Sequence, residues 1–233
     1  MSEQTVGGSL PGTLSGSYRA ARAGGDGEGS GQPVSEVFNG AGGFCLNSDL
    51  NLEQLYSEAE YFAERILENF WDSVFPVDVV SIASEIPIVI RYVDFPGETI
   101  GLIIKRANDR DPTIFLDSDM TSQRRRFTIA HEIGHYVEHY HLEKKASDVP
   151  FWYDDPEKLG TEFHRARIPT PSGDPDTRRS EQFADAFAHA LLMPSWEVET
   201  FAGLGMTKES VARYFGVSVT TMLNRLRMLG IEL

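Results

Sequence analysis

In this 233-residue chain, His131-Glu132-Ile133-Gly134-His135 is the stretch whose residue types and spacing point most directly to chemistry. Side chains four residues apart stand one turn above each other on a helix, so two imidazoles point the same way and can share one metal ion. Glu132 is rotated about 100° from His131, where a carboxylate reaches a water beside the metal without being a ligand itself. That is the place of a general base. Two histidines and an acid on an otherwise apolar helix are costly to bury alone, and a divalent cation supplies the missing partner. The plainer alternative is a pair of core or surface histidines satisfied by backbone carbonyls.

A catalytic zinc ion, Zn2+, takes three protein ligands and keeps one position open, so a third ligand is required. His141 stands where metzincins place a third histidine, but those motifs break the helix with a Gly three residues after the second His, and here that residue is Glu138. On a continuing helix His141 is rotated about 280° from His131 and faces away. Glu181 is the better candidate, with Asp185 four residues later on the same helix face. The Glu would coordinate, and the Asp would accept the outer N–H of a ligating histidine and fix its tautomer. A solvated acidic pair at a helix N-terminus is the alternative. Ala184 and Ala188 flank this face and would let two helices approach closely, while His189, one turn further along, is given no role.

The elements that must position these residues follow from periodicity. Apolar residues recur at three- and four-residue steps from Leu50 to Trp71, an amphipathic helix, and Asp78 can cap a short helix through Ala83. Three β-rich runs follow, Ile88 to Val93, Thr99 to Ile104 and Thr113 to Leu116. Their turns suggest a small, mostly antiparallel three-stranded sheet. The motif helix is expected from about Thr121 to Tyr140, apolar over most of its circumference and therefore buried. A further helix is expected from Ser180 to Met193, stopped by Pro194, and two short ones from Thr207 to Phe215 and Ser218 to Leu229. The fold class read from this is α+β.

Composition bounds the rest. With 21 Lys and Arg against 35 Asp and Glu, the formal net charge is -14, so a nucleic-acid partner would require a strongly local basic patch. One cysteine, Cys45, excludes an internal disulfide framework and fits a reducing compartment, and no stretch is apolar enough to span a bilayer. A cytoplasmic protein is expected. Residues 1–45 hold more than half of the 21 glycines and are read as a disordered Gly/Ser-rich tail. Residues 50–196 are expected to form the domain that carries the motif, with an aperiodic insertion at about 143–179 that is either a tolerated surface loop or a lid. Residues 197–233 form a helical C-terminal element packed on it.

Arg126-Phe127-Thr128-Ile129-Ala130-His131-Glu132-Ile133-Gly134-His135, then Glu181-Gln182-Phe183-Ala184-Asp185-Ala186-Phe187-Ala188 and Leu191-Leu192-Met193-Pro194, resemble the ImmA/IrrE family of metallo-endopeptidases. Pro76-Val77-Asp78-Val79 and Ile114-Phe115-Leu116-Asp117 resemble it too, so the likeness covers about residues 50 to 229. It implies a zincin-like α+β fold, a gluzincin-type zinc site made by His131, His135 and Glu181, and cleavage of a regulatory protein, often a helix-turn-helix transcriptional repressor. Two departures stand out: the long gap between His135 and Glu181, and Asp185 where the family often has Asn. Either residue can accept a hydrogen bond. No residue is assigned to stabilise an oxyanion, with Tyr153, His164 and Arg165 of the insertion as alternatives.

The last two helices have helix-turn-helix spacing, which raises a DNA-binding regulator as a rival function. Yet Lys208, Arg213, Arg225 and Arg227 are balanced by Glu197, Glu199, Glu209 and Glu232, without the basic face that duplex binding needs. Direct nucleic-acid binding is therefore not expected, and these helices read as packing or partner-docking elements. A peptidase-like protein that binds a partner without cutting it is the third reading. An intact Glu132 speaks against it.

Overall fold

The computed structural model describes residues 51–95, 100–105, 109–142 and 175–232, all within one compact unit, Gly31–Leu233. The expected tail, most of the expected insertion and the oxyanion candidates Tyr153, His164 and Arg165 lie outside the described residues.

Helix α1, Leu52–Phe70, starts where Asn51 and Gln54 cap each other: the Asn51 carboxamide oxygen accepts from Gln54 N at 2.9 Å and the Gln54 oxygen accepts from Asn51 N at 3.0 Å. Its buried stripe is Leu55, Ala59, Phe62, Ala63, Ile66 and Leu67. Asp78 caps α2, Val79–Glu85, by accepting from Val80 N and Ser81 N.

The sheet differs from the expected, mostly antiparallel arrangement. It is mixed, in the order β1–β3–β2, with β1 at Val89–Val93, β2 at Gly101–Ile104 and β3 at Thr113–Asp117. β1 runs parallel to β3, from Val89 opposite Thr113 to Val93 opposite Asp117, while β2 runs antiparallel to it, from Gly101 opposite Leu116 to Ile104 opposite Thr113. The reason is topological: β1 and β2 flank β3 on opposite sides, so these two consecutive strands are not neighbours and form no hairpin pair. Ile114 and Leu116 of the central strand point into the core.

Helix α3, Ser122–Leu142, lies against β2 and β3, and α4, Pro175–Leu192, lies along α3 and α1. α4 begins five residues before the expected Ser180, so the end of the expected insertion is helical. Pro175 suits a first helical position, where its missing N–H costs nothing, and the polar run behind it carries no apolar periodicity by which to read a helix. A short helix absent from the expectation, α5, spans Ser195–Gly203; Val198 is its buried residue, so it shows no apolar stripe. Thr207 and Ser218 cap α6, Lys208–Phe215, and α7, Val219–Leu229. Between them Gly216 adopts φ 65°, a left-handed conformation that favours glycine.

These last helices share the core: Val211, Phe215, Met222 and Leu226 are buried in the same cluster as the residues of α1 to α4. Arg126 of α3 donates to Phe215 O at 3.3 Å and Gln123 to Val217 O at 3.2 Å. Arg225, 1% exposed, donates to Met193 O at 2.8 Å and to Glu60 at 2.6 Å, tying α7 to the end of α4 and to α1.

α3 and α4 approach backbone to backbone, and a Cβ built on Gly134 would stand 2.9 Å from Ala184 Cα. Backbone lies on the other side, so nothing flexible can give way. Gly134→Ala is expected to destabilise the protein by about 1–3 kcal/mol despite the better helix propensity of alanine. Equilibrium denaturation checks this, and unchanged or raised stability would contradict the packing.

Candidate metal centre

α3 and α4 are antiparallel, so positions four apart on one face positions four apart on the other. His131 and His135 project from α3 with ring centroids 4.7 Å apart, and their Nε2 atoms approach to 3.1 Å. Glu181 faces them from α4, with Oε2 3.4 Å from His131 Nε2 and Oε1 3.5 Å from His135 Nε2. These three residues form the metal-ligand cluster found among the described residues. The ligand atoms of a tetrahedral zinc ion, each about 2.0–2.1 Å from the metal, are about 3.3 Å apart, and the three observed separations bracket that value. The donor set fits a divalent cation.

The outer nitrogens explain why the inner ones are free to bind. His131 Nδ1–H donates to Asp185 Oδ1 at 2.9 Å, which leaves Nε2 as a lone-pair donor. His135 Nδ1–H donates to Ser180 Oγ at 3.2 Å, and Ser180 Oγ in turn donates to Glu138. Three acceptor atoms so close repel one another unless a cation or shared protons lie between them.

The electrostatics carry that strain. Burial opposes charge on His131, but its bonds to Asp185 and Glu181 outweigh it and lift the pKa above 6.5. His135 stands well above 6.5 despite burial, through Glu138 and Glu181. Burial would raise Glu181, yet the two imidazoles pull it down from 4.5 to about 2. Asp185 is likewise held low against burial by its bond from His131.

Glu132 is buried and turned toward the sheet, where it accepts from the backbone N–H of Ile103. Burial raises its pKa above 4.5, with the nearby His135 and His131 pulling the other way. A carboxylate held there is a stronger proton acceptor than an exposed one. The strand below carries Gly101, and any Cβ at that position would collide with Thr128 Cγ2 and stand 3.4 Å from Glu132 Oε1. A bare strand backbone is what gives Glu132 its place.

Sequence reasoning named His131, Glu132, His135, Glu181 and Asp185, and the structure brings them together. It missed Ser180, Glu138 and the Ile103 N–H. Glu138, three residues after His135 on the same helix, was a signal available in the spacing. His189 stays out of the centre: it is buried, donates Nδ1–H to Asp185 O at 2.7 Å and meets Phe127 edge-on at 5.0 Å. The side chain of His141 lies outside what the structure describes.

A family model, that of the IrrE N-terminal-like domain, Peptidase_M78, matches residues 83–227, which is more than half of the chain. No curated protein matches. A solved structure described as a Mycobacterium tuberculosis transcriptional regulator is similar at a TM-score of 0.48 and 16% identity, over 75% of this chain and 51% of that one. This chain thus spans about half the length of that protein.

Metal and protons compete for the same lone pairs. Without metal, the stabilising contribution of the two histidines is complete below about pH 6.5 and is lost as pH rises through their raised pKa values; Glu181 contributes above about pH 4.5 and fails only as pH falls toward 2. Chelator-treated protein is therefore expected to melt at lower temperature as pH rises from about 6 to about 9, while the same protein with Zn2+ gains stability over that range. Paired melting curves test this, and curves that run parallel would contradict it.

Proposed function

We propose that this chain, which belongs to the Peptidase_M78 (IrrE N-terminal-like) family, is a zinc-dependent endopeptidase that cleaves a specific regulatory protein, with His131, His135 and Glu181 as the metal ligands and Glu132 as the general base. The observation that carries this is the convergence of two imidazole nitrogens and one carboxylate at the spacing of a tetrahedral face, beside an acid that is not part of that face. When bound, a divalent cation supplies Lewis acidity toward water and a peptide carbonyl. Two neutral imidazoles and one carboxylate leave such a site with a net positive charge, which suits that chemistry.

The chain's own residues do the remainder. Glu132 accepts the proton of the attacking water and returns it to the departing amine, a role that its burial and its raised pKa favour. Asp185 holds His131 with Nε2 toward the centre. The contact of β2 with the motif helix supports this division of labour within a zincin-like reading of the fold. A helix-turn-helix transcriptional repressor is the substrate class implied by the resemblance to the ImmA/IrrE family. The lone Cys45 supports a cytoplasmic location, and among the described residues no helix is long and apolar enough to cross a membrane.

Direct DNA binding through α6 and α7 is not part of this reading. Arg225, one of four basic residues in that region, is buried in an ion pair with Glu60 and unavailable to phosphate. A partner-binding protein with a non-hydrolytic zinc site is the remaining alternative. Incubating a candidate repressor with the Zn2+-loaded protein, with and without chelator, distinguishes the two by whether fragments form.

Glu132→Gln is expected to retain Zn2+ and to lose hydrolysis by about 10²-fold or more, whereas His131→Ala loses the metal. Cleavage by Glu132→Gln at the wild-type rate would remove the general base from the account. In a chelator competition Glu181→Ala should release Zn2+ more readily than Asp185→Ala, and the opposite order would exchange their roles.

A further inference from the structure

The two histidines are backed differently. Asp185 accepts directly from His131, but on the Nδ1 side of His135 the carboxylate is Glu138, whose Oε2 lies 3.8 Å from that nitrogen. That is too long for a hydrogen bond. The gap is filled by Ser180 Oγ, 3.2 Å from His135 Nδ1 and hydrogen-bonded to Glu138 Oε2. The carboxylate can only accept, so Ser180 gives it the hydroxyl proton. Its oxygen is then left to accept from His135, and His135 must carry hydrogen on Nδ1 and present Nε2 inward. A serine inside a helix more often returns its hydroxyl to its own backbone, whereas this one reaches across to the facing helix.

We propose that Ser180 and Glu138 form a hydroxyl–carboxylate relay that positions His135 as a metal ligand, a counterpart to the direct Asp185–His131 pair. The proposal rests on the reading of His135 as a ligand. Glu138 and His135 are partly buried on α3, and Ser180 sits on α4 immediately before Glu181, so one turn of α4 supplies both a metal ligand and the group that orients another. The relay joins the two helices at the ends between which residues 143–174 run. Removing the hydroxyl would free His135 to turn or to change tautomer while leaving His131 and Asp185 in place.

The test has one arm with metal and one without. In chelator-treated protein, NMR of the imidazole N–H protons is expected to show both Nδ1–H signals protected from exchange in the wild type. Ser180→Ala should lose the His135 signal and keep that of His131, and Ser180→Thr should restore it. In competition against a chelator, Ser180→Ala and Glu138→Ala should weaken Zn2+ binding about 10- to 100-fold, with Glu138→Gln, whose carboxamide oxygen can still accept, affected less. Melting curves of each variant establish that the fold is retained. Loss of both histidine signals together, or of neither, would overturn the relay. If the wild type binds no Zn2+ while the His135 signal still depends on Ser180, the relay stands and the metal reading fails.

Discussion

The close approach of α3 to α4 is the constraint from which the rest of the site follows. Gly134 meets Ala184 with no room for another carbon atom, and this places two antiparallel helices in a fixed register. Glu138 then faces Ser180, His135 faces Glu181, His131 faces Asp185, and Phe127 faces His189. On α3 each level lies about one turn from the next, while on α4 Ser180 and Glu181 share a turn and Asp185 and His189 follow one turn apart. Polar groups at the first three levels find partners across the pair, and the last returns to packing. An i,i+4 pattern on one helix acquires chemical meaning because the same period on the other stands opposite it.

The sheet has a narrower task. Ile114 and Leu116 of β3 anchor it in the core, and β2 presents bare backbone to the motif helix at Gly101. The Ile103 N–H fixes Glu132 on the sheet side of the helix, apart from the imidazoles. Separation of the acid from the imidazoles is thus the work of two different neighbours, a strand for the acid and a helix for the histidines. The C-terminal helices complete the core around them, with Arg225 joining α7 to α1 and α4 through Glu60 and Met193 O.

What could be read in the sequence was whatever depends on local period. The spacing of His131 to His135 and of Glu181 to Asp185 survives any tertiary arrangement, and the caps at Asp78, Thr207 and Ser218 are local as well. What escaped depends on contacts distant in sequence. β1 lies parallel to β3 because β2 occupies the far side, and no turn residue announces that. The Ser180 hydroxyl acquires its role only once α4 lies against Glu138, and in isolation it is a polar residue before an acid. α5 was missed because a helix that buries Val198 alone has no stripe to detect.

The central claim is that His131, His135 and Glu181 hold one metal ion with a position left open. X-ray absorption at the zinc edge of protein loaded with one equivalent tests it most directly. Two imidazole nitrogens at about 2.0–2.1 Å, with carboxylate and solvent oxygens completing a four-coordinate shell, is the result this account predicts. A shell with a single imidazole, or one containing sulfur, would contradict it.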